Sequence, residues 1–375
     1  MSSMRQPLAE TDVFVAGGGP AGLAAAIAAR QKGFRVVAAD VCRPPIEKPC
    51  GEGLMPDSVA ALRKLGVSFS QSECFPFGGV CFWGSGAFVE ARFPNGHGVG
   101  VRRRTLHESL VRRADEAGVM LLWGARVSGI SGEGVVVDGQ RIRCRWIIGA
   151  DGENSAIRRW AGLDPATRFA RRFGFRRHYC VQPWTDCVEV YWGSAGQVYI
   201  TPVSGKEISV VVISRDRHFR IDEALANFPE LRQRLERAEF DAERGAVSVS
   251  RRLRNVVRGN VALVGDGSGS VDAITGEGLC LAFRQAAALA DALEAGNLAA
   301  YEAEHRRLLR RPALMARLML LLDRFPALRH RALPALAAQP AIFSSLLAAH
   351  MAEQAATQLL MNGILPLGLR MLAAR

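Results

Sequence analysis

Apolar positions along the chain fall into three textures. At the front they form short unbroken runs: Asp12–Ala16 predicts a buried strand, Ala21–Arg30 an alanine-rich helix, and Arg35–Ala39 a second strand ending at Asp40. Two similar runs come later, Arg145–Ile148 and Asn260–Val264, and the second leads into a predicted helix over Leu279–Leu293. In the middle the pattern shortens and turns β-rich, with Phe173–His178, Cys187–Trp192, Gln197–Thr201 and Glu207–Ser214 separated by turn residues such as Gly193, Gly196 and Gly205. Alternation in Cys187–Trp192 places Val188, Val190 and Trp192 on one face, with Glu189 and Tyr191 on the other. Gly79–Trp83 and Phe88–Phe93 predict a hairpin joined through Gly84–Ala87. From Leu298 the chain is helical and oily: Ala313–Leu322 and Ala341–Leu360 repeat apolar residues at helical spacing, in a region broken by Pro326, Pro334, Pro340 and Pro366.

These textures predict an α/β chain with a discontinuous Rossmann-like nucleotide-binding domain over residues 1–76, 98–166 and 250–297. An antiparallel β-sheet substrate domain over 77–97 and 167–249 is inserted into it, and a C-terminal helical region follows over 298–375. The 375 residues, 49% hydrophobic, supply an ample core and exclude a disordered chain. Met1–Glu10 has no signal-peptide pattern, and the longest uncharged stretch, Ala332–Ala349, is interrupted by prolines and polar residues. Eight cysteines without a CxxC pair or regular framework read as reduced thiols, so a cytoplasmic protein is expected, with membrane association left open by the oily C-terminus. No His/Cys cluster has metal-ligand spacing, so no metal is expected. A net charge of +12 raises nucleic acid as a partner, but the arginines are dispersed rather than gathered on one recognition helix, and only four of 48 basic residues are lysine. No nucleic acid is expected. A chain that binds one anionic cofactor, and a second in turn, has its own reason to be basic.

Three motifs carry the chemistry. In GGGPAG, Gly17 permits the tight turn, Gly19 lets the backbone approach a pyrophosphate, Pro20 and Ala21 open the helix, and Gly22 allows close helix–strand packing. The helix N-terminus then offers N–H donors to the phosphates, and Asp40 suits a ribose while repelling a 2′-phosphate. The strand Arg145–Ile148 runs into Gly149-Ala150-Asp151-Gly152, where Asp151 and Gly152 are candidate cofactor residues. After Asn260–Val264, Gly265 and Asp266 stand where strand gives way to loop, and the Asp266 carboxylate could bond ribityl hydroxyls or merely cap a turn. Gly276, Glu277 and Gly278 open the next helix, whose dipole would stabilise negative charge on a reduced flavin ring. The order of the three points to one FAD.

GGGPAG, GADGENSAIRR and VGDGSGSVDAITGEG are similar to the three FAD signatures of the superfamily that holds single-component aromatic hydroxylases and geranylgeranyl reductases. The last leans toward the reductases, with Ala273 standing where their pattern has proline. The resemblance implies that Val101–Leu110 starts the helix carrying an arginine near the flavin phosphates, with Arg103 in register. It also implies that Pro49–Gly53 approaches the flavin ring, so Cys50 could line the active site or be a buried inert thiol. Trp83, Phe175, Trp192 and Tyr199 are the candidates for the substrate wall, with at most two expected to touch substrate. The Tyr199-Ile200-Thr201-Pro202 stretch matches the reductases' aromatic strand only loosely, and the tryptophan-rich version of halogenases is absent.

Function follows from the cofactor. NAD(P)H is the expected electron donor, and Arg171, Arg172, Arg176 and Arg177 either attract its phosphates or lie exposed. Hydroxylation or epoxidation of an apolar aromatic or polyketide-like molecule comes first. Reduction of double bonds in a prenyl or other lipid chain comes close behind, with Cys50 or Tyr199 as proton donor, and a non-catalytic electron carrier fits less well. The basic, apolar C-terminal helices could lie on a membrane or cap the cofactor domain.

Overall fold

The computed structural model describes residues 10–163, 167–351 and 360–373. At its centre lies Glu10–Ala16, whose Val13, Phe14 and Val15 are wholly buried. A run without polar interruption suits a strand covered on both faces by helices. Parallel neighbours flank it, Gln140–Gly149 on one side and Val36–Asp40 on the other. Val261–Leu263 and Met120–Trp123 extend the sheet in the same sense. The helices Pro20–Gln31 and Gly278–Glu294 pack together over this core. All three glycine motifs therefore lie at the carboxyl ends of neighbouring parallel strands, where α/β sheets bind ligands.

The second sheet runs Glu239–Phe240, Thr167–Cys180, Glu207–Ser214, Gly196–Ser204, Cys187–Trp192, Gly79–Gly84 and Ala87–Arg92, with Arg244–Arg252 also paired to Thr167–Cys180. It is antiparallel except at one junction: Cys187–Trp192 lies parallel to Gly79–Gly84. The early hairpin enters from far away in sequence, so no tight turn forces its direction. Both faces are covered. Phe175, Tyr191, Val198 and Val210 pack under the short helices Ile221–Ala226 and Pro229–Leu235. Val80, Val190 and Trp192 pack with Leu333, Leu336 and Phe343 of the C-terminal helices.

Those helices are Leu298–Arg324, Pro326–Ala338 and Pro340–Met351, with Leu365–Ala373 beyond. Pro326 and Pro340 start helices, where a missing N–H costs little. Pro334, expected as a break, instead lies inside a helix, as does Pro312. The predicted helix over Ala341–Leu360 is seen as far as Met351, and residues 352–359 lie outside the described ones. Among the described residues no single helix is long and apolar enough to cross a membrane. Pro326–Ala338 and Pro340–Met351 pass that test only together, bent by 103°.

Candidate functional site

The first glycine loop is built to be open on one side only. A Cβ on Gly17, whose φ is +119°, would run into the Ala150 carbonyl, and one on Gly22 would meet the carbonyl of Gly17. Gly19 faces free space instead. Gly18 is braced from two directions: its N–H donates to Asp40 Oδ2 at 2.7 Å, and its carbonyl lies 2.8 Å from Nε2 of the buried His107. Because the Ile46 N–H donates to His107 Nδ1 at 3.3 Å, the ring proton sits on Nε2 and bonds Gly18. His107 was not singled out from the sequence, since a lone helical histidine gives no sign of the loop it will brace.

From Gly19, Pro20 and Ala21 a single cavity of about 620 Å³ takes in Arg103, Gly265, Asp266 and Gly276–Gly278. It continues between the second sheet, at Val188, Val190 and Tyr199, and the C-terminal helices, at Leu318, Leu336 and Phe343. Cys50 to Gly53 form part of its wall. Asp266 pairs with Lys48 at 3.0 Å. Arg103 is buried, its Nη1 has no hydrogen-bond partner, and burial holds its pKa below the usual range. Burial pushes the Cys50 thiol up to about 11, with Glu52 adding to the effect, so Cys50 is no ready nucleophile.

The wall is anchored by a charge cluster that the sequence did not reveal. Glu52, in the left-handed region at φ +61°, has a fully buried side chain. Its Oε1 accepts from the Arg103 N–H at 2.8 Å and lies 3.0 Å from Arg176 Nη1, while its Oε2 lies 2.6 Å from His178 Nε2. His178 Nδ1 is 2.8 Å from Asp241 Oδ2, and Arg176 also reaches Glu47 at 2.8 Å. Burial opposes the charge on His178, but the bonds to Glu52 and Asp241 outweigh it and raise its pKa. The cluster thus ties the Cys50–Gly53 segment to the second sheet. Its members are far apart in sequence, and no spacing rule joins them.

Several expected site residues lie elsewhere. Asp151 caps the helix Ala156–Trp160, accepting from the Ala156 and Ile157 N–H groups and the Ser155 hydroxyl. Neither Asp151 nor Gly152 lines the cavity, which Ala150 and Glu153 reach instead. Strand parity turns Trp83 and Phe175 to the far face, against the short helices, and Trp192 is buried among Phe82 and Leu333. Of the four aromatics named for the substrate wall, Tyr199 lines the cavity, with its hydroxyl donating to the Ile274 carbonyl at 2.8 Å. Three of the four arginines considered for NAD(P)H are already paired: Arg172 with Asp272 and Asp323, Arg176 as above, and Arg177 with Asp222. Across adjacent strands, folding brings Cys81, Glu90 and Cys187 within 4.8 Å of one another, a donor group hidden from linear spacing. Glu90 also pairs with Arg92 at 2.5 Å.

The cavity floor suits an FAD. Gly19, Gly276 and Gly278 each leave free space beyond their α-carbons for a flat ligand, and the unpaired Arg103 Nη1 supplies buried positive charge for an anionic one. Gly19, Arg103 and Asp266 are the residues that would hold the phosphates and ribityl chain, and Gly276–Gly278 would lie beside the ring.

Comparison with known proteins agrees. Residues 10–308 match the family described as FAD binding domain. The menaquinone reductase of Mycobacterium tuberculosis (strain ATCC 25618 / H37Rv) is 30% identical over 317 residues, covering 77% of this chain and 78% of that protein. The digeranylgeranylglycerophospholipid reductase of Methanosarcina mazei is 28% identical, covering 78% and 75%. A flavin-dependent brominase shares the fold with a TM-score of 0.78 at 20% identity, covering 91% of this chain and 93% of that one.

Proposed function

Because the chain belongs to the FAD-binding family that spans monooxygenases and geranylgeranyl reductase-like enzymes, we propose that it is an FAD-dependent reductase that saturates double bonds in a prenyl lipid. One observation carries this reading: the cavity that starts at Gly19 does not end at the cofactor cradle. It runs on into an apolar tunnel walled by Leu318, Leu322, Leu336, Phe343, Leu346 and Leu347, the polarity that a long hydrocarbon chain needs. The two reductase relatives are named for menaquinone and for a digeranylgeranylglycerophospholipid, and they match over about three quarters of their length.

Bound and reduced, FAD supplies hydride to a carbon–carbon double bond. The chain supplies the rest. Arg103 and the N-terminus of Gly278–Glu294 hold negative charge at the cofactor. Val188 and Val190 on one side, with the leucines on the other, exclude water and align the chain. Tyr199, tied to Ile274, keeps the sheet wall fixed against the third glycine motif. NAD(P)H remains the proposed electron donor, reaching the site without the three arginines already paired. The expected product from a prenylated lipid that carries no quinone, under argon with FAD and a reductant, is two hydrogens heavier. Mass spectrometry checks this: a product that gains one oxygen atom, and only in air, would support the other reading instead. Oxygen insertion is favoured by one feature, the departure of Tyr199-Ile200-Thr201-Pro202 from the reductases' aromatic strand.

The substrate class also gives the C-terminal helices a role. Leu321 lines the cavity yet is 45% exposed, and Phe325, Met361 and Leu365 are large apolar residues exposed in the same region. Arg310, Arg317 and Arg324 lie on the same helix as Leu321, Leu298–Arg324. We propose that this mouth rests on an anionic bilayer from which the lipid enters. Flotation should carry the protein with phosphatidylglycerol vesicles, and Leu321→Glu with Phe325→Glu should weaken that binding by about tenfold or more. Equal flotation of the variant would remove the proposal.

A further inference from the structure

Saturating a double bond takes a proton as well as a hydride, and the proton needs a positioned acid. Apart from the half-buried Glu153, the cavity's acids are mostly committed. The Tyr199 hydroxyl donates to Ile274, and the Cys50 thiol is a weakened acid. Glu52 is held by Arg103, Arg176 and His178, Asp266 by Lys48, and Asp272 by Arg172 and the Ile274 N–H. Glu277 differs. It is 8% exposed, its Oε2 has no hydrogen-bond partner, and it lies between two glycines that face free space on the cavity floor. Its Oε1 is 3.6 Å from Nε2 of His350, whose Nδ1 is likewise buried and unpartnered. His350 comes from Pro340–Met351, the helix that also walls the tunnel with Phe343 and Leu347.

We propose that Glu277 is the proton donor to the double bond and that His350 is the positioning residue that keeps its carboxyl turned to the cavity. This rests on the reductive reading above. In the step, the π electron pair takes the Glu277 proton and forms one C–H bond. The neighbouring carbon receives the hydride, with both its electrons, from reduced flavin and forms the other. The flavin ends oxidised and Glu277 ends as a carboxylate, which a proton from solvent restores. The surroundings favour the neutral acid over the carboxylate. Burial raises its pKa, opposed by His350, reinforced by Asp57 of the Pro56–Lys64 helix, and opposed again by Arg311 of Leu298–Arg324 and Arg284 of its own helix, with the balance upward.

The test begins with infrared spectra of the FAD-loaded protein carrying ¹³C-carboxyl glutamate. A protonated glutamate band at pH 7, shifted by the label and missing from Glu277→Gln, is the expected result. Its absence from the wild-type protein, or its survival in the variant, overturns the proposal. Glu277→Gln should still bind FAD and bleach with dithionite, while anaerobic reoxidation by a prenylated lipid that carries no quinone slows by about 10²–10⁴-fold. Glu277→Asp, which keeps an acid, should recover part of that rate. Reoxidation of Glu277→Gln at the wild-type rate also overturns it. His350→Gln should move the titration of the band to higher pH with FAD content unchanged, and an unmoved midpoint removes His350 from the assignment. If the wild-type enzyme is never reoxidised by the double bond, the reductive reading fails, which is a result distinct from either of these.

Discussion

Gly19→Val is expected to leave the fold intact and abolish FAD retention. Gly19 sits at φ −73° and ψ 176°, extended backbone open to any residue, and a Cβ there meets nothing within 4 Å. The added side chain therefore strains no protein contact and fills the space kept for the pyrophosphate. Purified Gly19→Val should be colourless, unfold within about 1 kcal/mol of the wild-type stability, and bind added FAD at least ~100-fold more weakly, a loss of about 3 kcal/mol. Gly17→Val should fail differently. Its φ of +119° disfavours a β-branched residue, and its Cβ collides with the Ala150 carbonyl just beyond the end of the neighbouring strand. A stability loss of about 3 kcal/mol or more should accompany the loss of flavin. Flavin absorbance and urea denaturation of both variants separate the two effects. Normal flavin content in Gly19→Val would mean that the cofactor does not lie against this loop.

Glu52→Ala should be among the most destabilising single changes outside the apolar core. It leaves Arg176, whose side chain is wholly buried, and His178 without their shared anion, and it frees the Arg103 N–H. Breaking one side of a buried ion cluster costs about 3–5 kcal/mol. Since Cys50–Gly53 then loses its anchor, FAD should loosen as well. The same cluster gives stability a pH signature. His178 has a folded pKa raised above 6.5, so its contribution is complete below that value and is lost as pH rises through the folded pKa. Glu52 and Asp241 are depressed by their contacts with His178 and Arg176, although burial opposes both. Their contribution is present above their ordinary values of 4.5 and 3.8 and is lost as pH falls through the lowered ones. The tether is therefore firmest between about pH 4.5 and 6.5. His178→Gln should flatten the alkaline decline of stability, read by urea denaturation at several pH values. An unchanged slope would show that the His178 pKa is not raised.

The cofactor half of the molecule was legible because its chemistry is local. Gly17, Gly19 and Gly22 fall within one turn, and the strand before and helix after them follow from apolar runs of the right length. The Gly79–Trp83 hairpin and the face assignment of Val188, Val190 and Trp192 follow from alternation in the same way. What could not be read was which face of the second sheet looks at the cofactor. Parity says that Phe175 and Arg176 point apart, but not that Arg176 meets Glu52 while Phe175 meets the helix Ile221–Ala226. Asp151 was hard to place for a related reason: an aspartate before a short helix can cap it or face a ligand, and only the fold shows Ala156 and Ile157 donating to it. The tunnel was hidden too. It forms where residues near 190, 274 and 340 converge, and no window of sequence contains all three.

One measurement reaches the central claim, that a single cavity joins an FAD to a hydrocarbon tunnel for reduction. The FAD-loaded protein is bleached by light and a photoreductant under argon and then mixed with a prenylated lipid that carries no quinone, oxygen still excluded. The account predicts that the flavin colour returns without air, with one double bond lost from the substrate for each flavin reoxidised. Flavin that stays bleached until oxygen is admitted, followed by a product carrying an oxygen atom drawn from that gas, would contradict it.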